Sequence, residues 1–221
     1  MTVSILSFES QNDLAMRNLL LLFLLVPVLS FGQYTMKDFM NEECNVIWFG
    51  LDFSRAKMIG SEGFNDPVAI KEDYFRKWNH LMINESDKYE WDKALLVSDL
   101  KFDYGMIDEV NDQVKVKSLV INKSYSIPKE DISSITESYN ITEFKEGIGV
   151  VVLVESFNKI REMGFGYIVF FDVKTKEVLY YHELVGEPSG FGFRNYWAGA
   201  IHKWMKFTKG RVMRDIRKDF K

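Results

Sequence analysis

An almost unbroken apolar run, LLLLFLLVPVL, extends from Leu19 to Leu29. It is about half of the roughly 20 residues that a helix needs to cross a bilayer. Arg17 precedes it, and the small residues Ser30 and Gly32 follow it. A positive residue, a short apolar stretch and small residues before a cut form the pattern of a cleavable secretory signal peptide. The pattern begins at Met16. Residues 1–15, polar and carrying Glu9 and Asp13, then read as an upstream artefact, with the true start expected at Met16. Cleavage is expected between Gly32 and Gln33, which leaves residues 33–221 as one domain.

Downstream, the spacing of apolar positions changes from segment to segment. VIWFGLDF, Val46 to Phe53, is apolar at both parities and predicts a strand covered on both faces. Asp66-Pro67 gives an N-cap with proline at the first helical position. Ile70, Tyr74, Trp78 and Leu81 then recur at helical spacing. Between 84 and 125 the pattern weakens. Trp91 and the Leu95–Val97 triplet are expected to begin a second strand, and Lys115 to Ile121 a short one. Ser126-Ile-Pro-Lys-Glu-Asp opens a short helix reaching Ser138.

The last third is the clearest. Ile148–Phe157, Gly166–Val173 and Glu177–Val185 are continuous apolar runs of strand length. The polar Lys174-Thr175-Lys176 link forces the last two into an antiparallel hairpin. A Gly-rich loop, 186–193, leads into a helix from Arg194 to Thr208 with Trp197, Ile201 and Trp204 on one face. The expected fold is α/β (α+β): a mixed central sheet ending in an antiparallel three-strand meander, with helices packed on it.

Composition narrows the function. Apolar residues at 47% and aromatics at 15% suffice for a core. A net charge of −4 gives no general drive toward nucleic acid. The charge is uneven, because Lys203 to Lys221 holds eight Lys or Arg and two Asp. That tail predicts a basic amphipathic helix. It either contacts an anionic membrane surface peripherally or packs on the domain with a solvated basic face. Cys44 is the one cysteine, so no internal disulfide forms. A lipid anchor would need a cysteine where Gln33 stands. The product is expected in the periplasm or outside the cell, with no transmembrane segment once the leader is cut.

Motif chemistry is sparse. His80, His182 and His202 form no close ligand pair, and no metal or cofactor is expected. Asp52 and Asp172 end strands, where facing carboxylates would do acid–base work. The Gly-rich loop contributes Ser189, Gly190, Gly192, Arg194 and Asn195. Free N–H groups at a helix start attract anions, and Arg194 adds a charged fork. The alternative is a filled loop, with Phe191 and Phe193 under the sheet and Arg194 paired to an acid. Ser189 sits in G-x-x-S-G and not in the G-x-S-x-G of a nucleophile elbow.

The element order resembles that of envelope domains such as the TolB amino-terminal domain, with the curli-secretion lipoprotein sharing the broad plan. Asp172, Thr175, Val178 and Leu179 match the D-x-x-T-x-x-V/I-L strand end common there. W-F-G-L-D-F-S and G-F-G-F-R-N-Y-W-A-G resemble an uncharacterised secreted family of Bacteroidetes-type bacteria. The resemblance implies an envelope interaction or assembly role. The expected function is a non-enzymatic, exported binding module whose partner is an envelope protein or a small anionic ligand. The alternative is a hydrolase-like enzyme with its site at the 186–195 loop.

Overall fold

The computed structural model describes residues 33–220. The expected leader, with its cut after Gly32, lies outside these residues. The sheet is built on β5 (Ile148–Asn158). One edge of β5 takes β1 (Val46–Asp52) and, farther along, β2 (Lys57–Ile59), both parallel. The chain therefore leaves that edge only for 53–56 and then returns to it. Beyond β1 lies β3 (Leu100–Phe102), and beyond β2 lies β4 (Val120–Ile121), again parallel. The other edge of β5 takes β6 (Met163–Asp172) and then β7 (Val178–Gly186), both antiparallel to their neighbours. This is the mixed sheet with a carboxy-terminal meander that the sequence predicts.

Both faces of the sheet are covered, which is why β1 and β5 are buried along their whole length. On one face Trp48, Val150, Val152, Ile168 and Phe170 meet α1 (Met36–Met40), α2 (67–79), α3 (Leu81–Asn84), α4 (Trp91–Leu95) and α7 (193–219). A π turn, Ile70–Tyr74, interrupts α2, and another, Thr208–Val212, interrupts α7. On the other face Ile47, Val151, Leu153, Val169 and Phe171 meet α5 (Gly105–Asp112), α6 (Asp131–Glu137) and the flanking residues Ile127 and Tyr139. The first core is aromatic. The Phe157 ring touches Phe53, Trp78, Trp197 and Trp204, with centroids 4.7–6.3 Å apart.

The middle of the chain departs from the expectation. Trp91 to Leu95 is helix α4, and Leu96 ends it in the left-handed region at φ 59°. Trp91, Ala94 and Leu95 are buried at spacings of three and four, a helical stripe too short to separate from a strand by pattern alone. The strand of that region is β3. Lys115 to Ile121 is mostly a 3₁₀ turn, Val116–Ser118, leaving two residues for β4. Helix α5 occupies a stretch for which the sequence pattern predicts no helix, and Met106, Ile107 and Val110 mark its buried side. Among the described residues no helix is long and apolar enough to cross a membrane.

Candidate functional site

At the end of β1 two buried amides stand in for a missing strand. Backbone register shifts between Trp48 and Gly50, and Gly50 adopts φ 107°. A side chain at Gly50 would collide with the Asn79 Oδ1. Asn79 Oδ1 accepts from the Leu51 N–H at 2.6 Å, and its Nδ2 donates to the Leu51 carbonyl at 3.0 Å. Asn111 Nδ2 donates to that same carbonyl at 3.0 Å, and its Oδ1 accepts from the Phe53 N–H at 2.7 Å. Asn79 closes α2 and Asn111 lies in α5, so one helix from each face grips the strand end. Asp52 follows, buried. Its Oδ1 accepts from the Ser54 N–H at 2.6 Å and its Oδ2 from the Tyr139 hydroxyl at 2.5 Å. Burial, and then the charge of Asp52, hold the Tyr139 phenol well above its usual pKa.

This fixed end supports a groove. The excursion 53–56 projects Ser54 and Arg55 beneath α5 and α6, and the space between holds about 680 Å³. Its apolar floor includes Met106 and Ile135. Arg55, Lys57 and Lys115 bring three cations to its lining, against one carboxylate, Glu109. Lys57 Nζ donates to the Ser118 carbonyl at 2.8 Å and lies 5.7 Å from the Tyr125 ring centroid. Burial, then Arg55 and Lys123, lower the Lys57 pKa. The side chains of Arg55 and Lys115 make no ion pair or hydrogen bond among the described residues, so neither charge is held by a direct partner. The hydroxyls of Ser54, Ser134 and Ser138 complete a polar wall.

The place is also meaningful topologically. The connection leaving β1 and β2 passes over the aromatic face through α2, and the one leaving β3 passes over the other face through α5. Adjacent strands β1 and β3 thus send their chains to opposite sides, and the groove lies beyond the carboxyl end of β1. Parallel α/β sheets bind ligands in such crevices. Comparison with family models, with curated proteins and with solved structures finds no match.

The residues nominated from sequence are arranged differently. Asp52 lies beside Leu153 and Asp172 beside Ile148, five residues apart along β5. At roughly 3.3 Å per residue they stand about 17 Å apart along the strands, so they form no acid–base pair. Asp172 instead holds its own turn, accepting from the Lys174 and Thr175 N–H groups at 2.9 and 2.7 Å. The loop at 186–195 is filled. The Ser189 backbone rests on α7 where only a glycine, Gly199, leaves room. No imidazole or carboxylate hydrogen-bonds to Ser189 among the described residues. Gly190 and Gly192, at φ 123° and 81°, turn the chain into the helix.

Phe193 packs against Phe64, Tyr74 and Trp78. Arg194 donates to Glu85 Oε1 at 2.7 Å and to Asn195 Oδ1 at 2.9 Å, the acid pairing expected of a filled loop. Phe191 departs from that expectation. It is 96% exposed at the loop tip, because the two flanking glycines swing it away from the core. Cys44 is half-buried, and its thiol is pushed up to about 11, chiefly by burial. His80, His182 and His202 stand against Tyr104, Phe207 and Tyr89 respectively. No cluster of three or more His, Cys, Asp or Glu placed to hold a metal occurs among the described residues.

Reading the loop alone passes over Arg55, Lys57 and Lys115. The one local signal is the polar Ser54-Arg55 step between two apolar stretches. Lys115 and Tyr125 come from other segments, and only the fold brings them there.

Proposed function

We propose that the chain is an exported, non-enzymatic binding module of the bacterial envelope, and that it holds a small anionic ligand in the groove beyond β1. The observation that carries this reading is the set of three cations around a 680 Å³ space with a single carboxylate. Ligand pockets commonly span about 300–1,000 Å³. The lining is rich in donors and holds no nucleophile hydrogen-bonded to a base, which suits retention of an anion better than its turnover. The amino-terminal leader pattern supports the envelope setting. Titration calorimetry against phosphate, phosphorylated sugars and dicarboxylates is the test. One of these classes should bind, and Arg55→Ala should weaken it about tenfold to a hundredfold, the worth of one charge-assisted hydrogen bond. Absence of binding by every class at millimolar concentration would sink the reading.

A second reading, a protein contact through the 186–195 loop, draws on the exposed Phe191. Phe191→Ser should abolish capture of an envelope partner while leaving anion binding at the groove unchanged. Capture unaffected by that change removes the loop from the function.

A further inference from the structure

The structure assigns a second, separate surface on α7, and we propose that it seats the domain on an anionic lipid bilayer. A shallow pit of about 500 Å³ opens at the Thr208–Val212 π turn. Lys209, Gly210, Met213, Arg214, Arg217 and Lys218 line it, and no carboxylate does. Gly210 faces open space, so the pit widens outward. The acid nearest in sequence, Asp215, is turned to Arg211 at 2.7 Å, with Arg214 at 3.8 Å. Lys209, Arg217 and Lys218 make no ion pair among the described residues. Lys209 and Lys206 also line a neighbouring pit, where Asp87 and Glu90 stand among Lys88 and Lys93 and Lys93 pairs with Glu90, so the uncompensated charge is concentrated at the first pit.

The shape decides between a bilayer and a discrete small anion. The cations are exposed and spread along the helix, and no buried polar group aims into the pit. A diffuse negative surface satisfies such a strip without desolvating it. A small anion would gain little there, because water competes at every point. The whole chain is negative, at −4, so attraction to an anionic surface depends on a local concentration of cations such as this face carries. Anionic membrane surfaces attract basic strips of this kind over a Debye length. The apolar core of the helix, Val212, Met213 and Ile216, is buried in the domain, so contact is electrostatic and without insertion.

The test is sedimentation with vesicles of the protein from Gln33 onward, which is a compact unit by itself. Binding is expected to phosphatidylcholine vesicles containing phosphatidylglycerol, and not to phosphatidylcholine alone. It should fall about tenfold or more when salt rises enough to shorten the Debye length from about 10 Å to about 3 Å. The triple change Lys209→Glu, Arg217→Glu, Lys218→Glu should remove it, with the helical circular dichroism unchanged. If that variant does not fold, the salt series on the native chain stands as the test. Equal binding to neutral vesicles, or insensitivity to salt, overturns the proposal. So does competition by inorganic phosphate at constant ionic strength, which would mark a discrete phosphate site. Arg55→Ala should leave vesicle binding intact, so this proposal and the groove reading fail independently.

Discussion

The two faces of the sheet do different work. On the aromatic face five helical segments and the sheet enclose all five tryptophans, Trp48, Trp78, Trp91, Trp197 and Trp204, each at or below 1% exposure. On the other face two short helices cover a smaller core, in which Phe49, Tyr139, Tyr167 and Phe171 stand among aliphatic side chains, and which ends at a groove. Close packing leaves no room for a ligand and makes each contact matter to stability. Sparse cover leaves a space that polar side chains can line. One sheet thus separates holding the fold from meeting a ligand. The groove keeps its shape because Asn79 and Asn111 tie the end of β1 to both faces at once.

The largest test of this contrast is Phe157→Ala. Phe157 touches four aromatic rings, and its loss should cost about 3–5 kcal/mol, read by urea denaturation. A loss below about 1 kcal/mol would deny that this face dominates stability. Next come the two amides. Asn79→Ala and Asn111→Ala each strand one buried N–H, and each should cost about 2 kcal/mol. Only Asn111→Ala loosens α5, a wall of the groove, so it alone should weaken anion binding in calorimetry. Equal effects on affinity would break the division between faces.

A smaller effect depends on pH. Burial raises the Tyr89 phenol to about 12 on the aromatic face and lifts Tyr139 well above 10 on the other. Unfolded tyrosines ionise near about 10. A pKa raised by folding contributes stability that is full below the unfolded value and lost as pH climbs toward the folded one. The denaturation midpoint should therefore fall as pH rises above about 10, and Tyr139→Phe should make that fall shallower. The smallest change in stability is expected for Arg55→Ala. Arg55 is exposed and unpaired, so unfolding should move by no more than about 0.5 kcal/mol while ligand affinity drops. A large loss of stability would recast Arg55 as part of the scaffold.

The legibility of the sequence follows the same contrast. Val46–Phe53, Ile148–Phe157 and the two runs that follow are strands because long apolar segments of β-branched and aromatic residues permit little else. The stripe of Trp197, Ile201 and Trp204 likewise announced α7. From Trp91 to Ile121 the pattern misleads because the elements are two to eight residues long, too short for periodicity to distinguish helix from strand. Arg194 paired with an acid as its loop predicted, whereas Phe191 turned outward against expectation.

By itself, then, the sequence determined the class of fold, the buried strands, the aromatic core and the concentration of positive charge near the carboxyl end. These follow from composition and spacing within single segments, where neighbours in the chain are neighbours in space. Only the tertiary structure decided that β1 and β2 share one edge of β5, that Asp52 and Asp172 stand far apart, and that Arg55, Lys115 and Tyr125 meet at one groove. Those facts depend on contacts between residues distant along the chain, and no local pattern encodes which distant segment will supply the other wall.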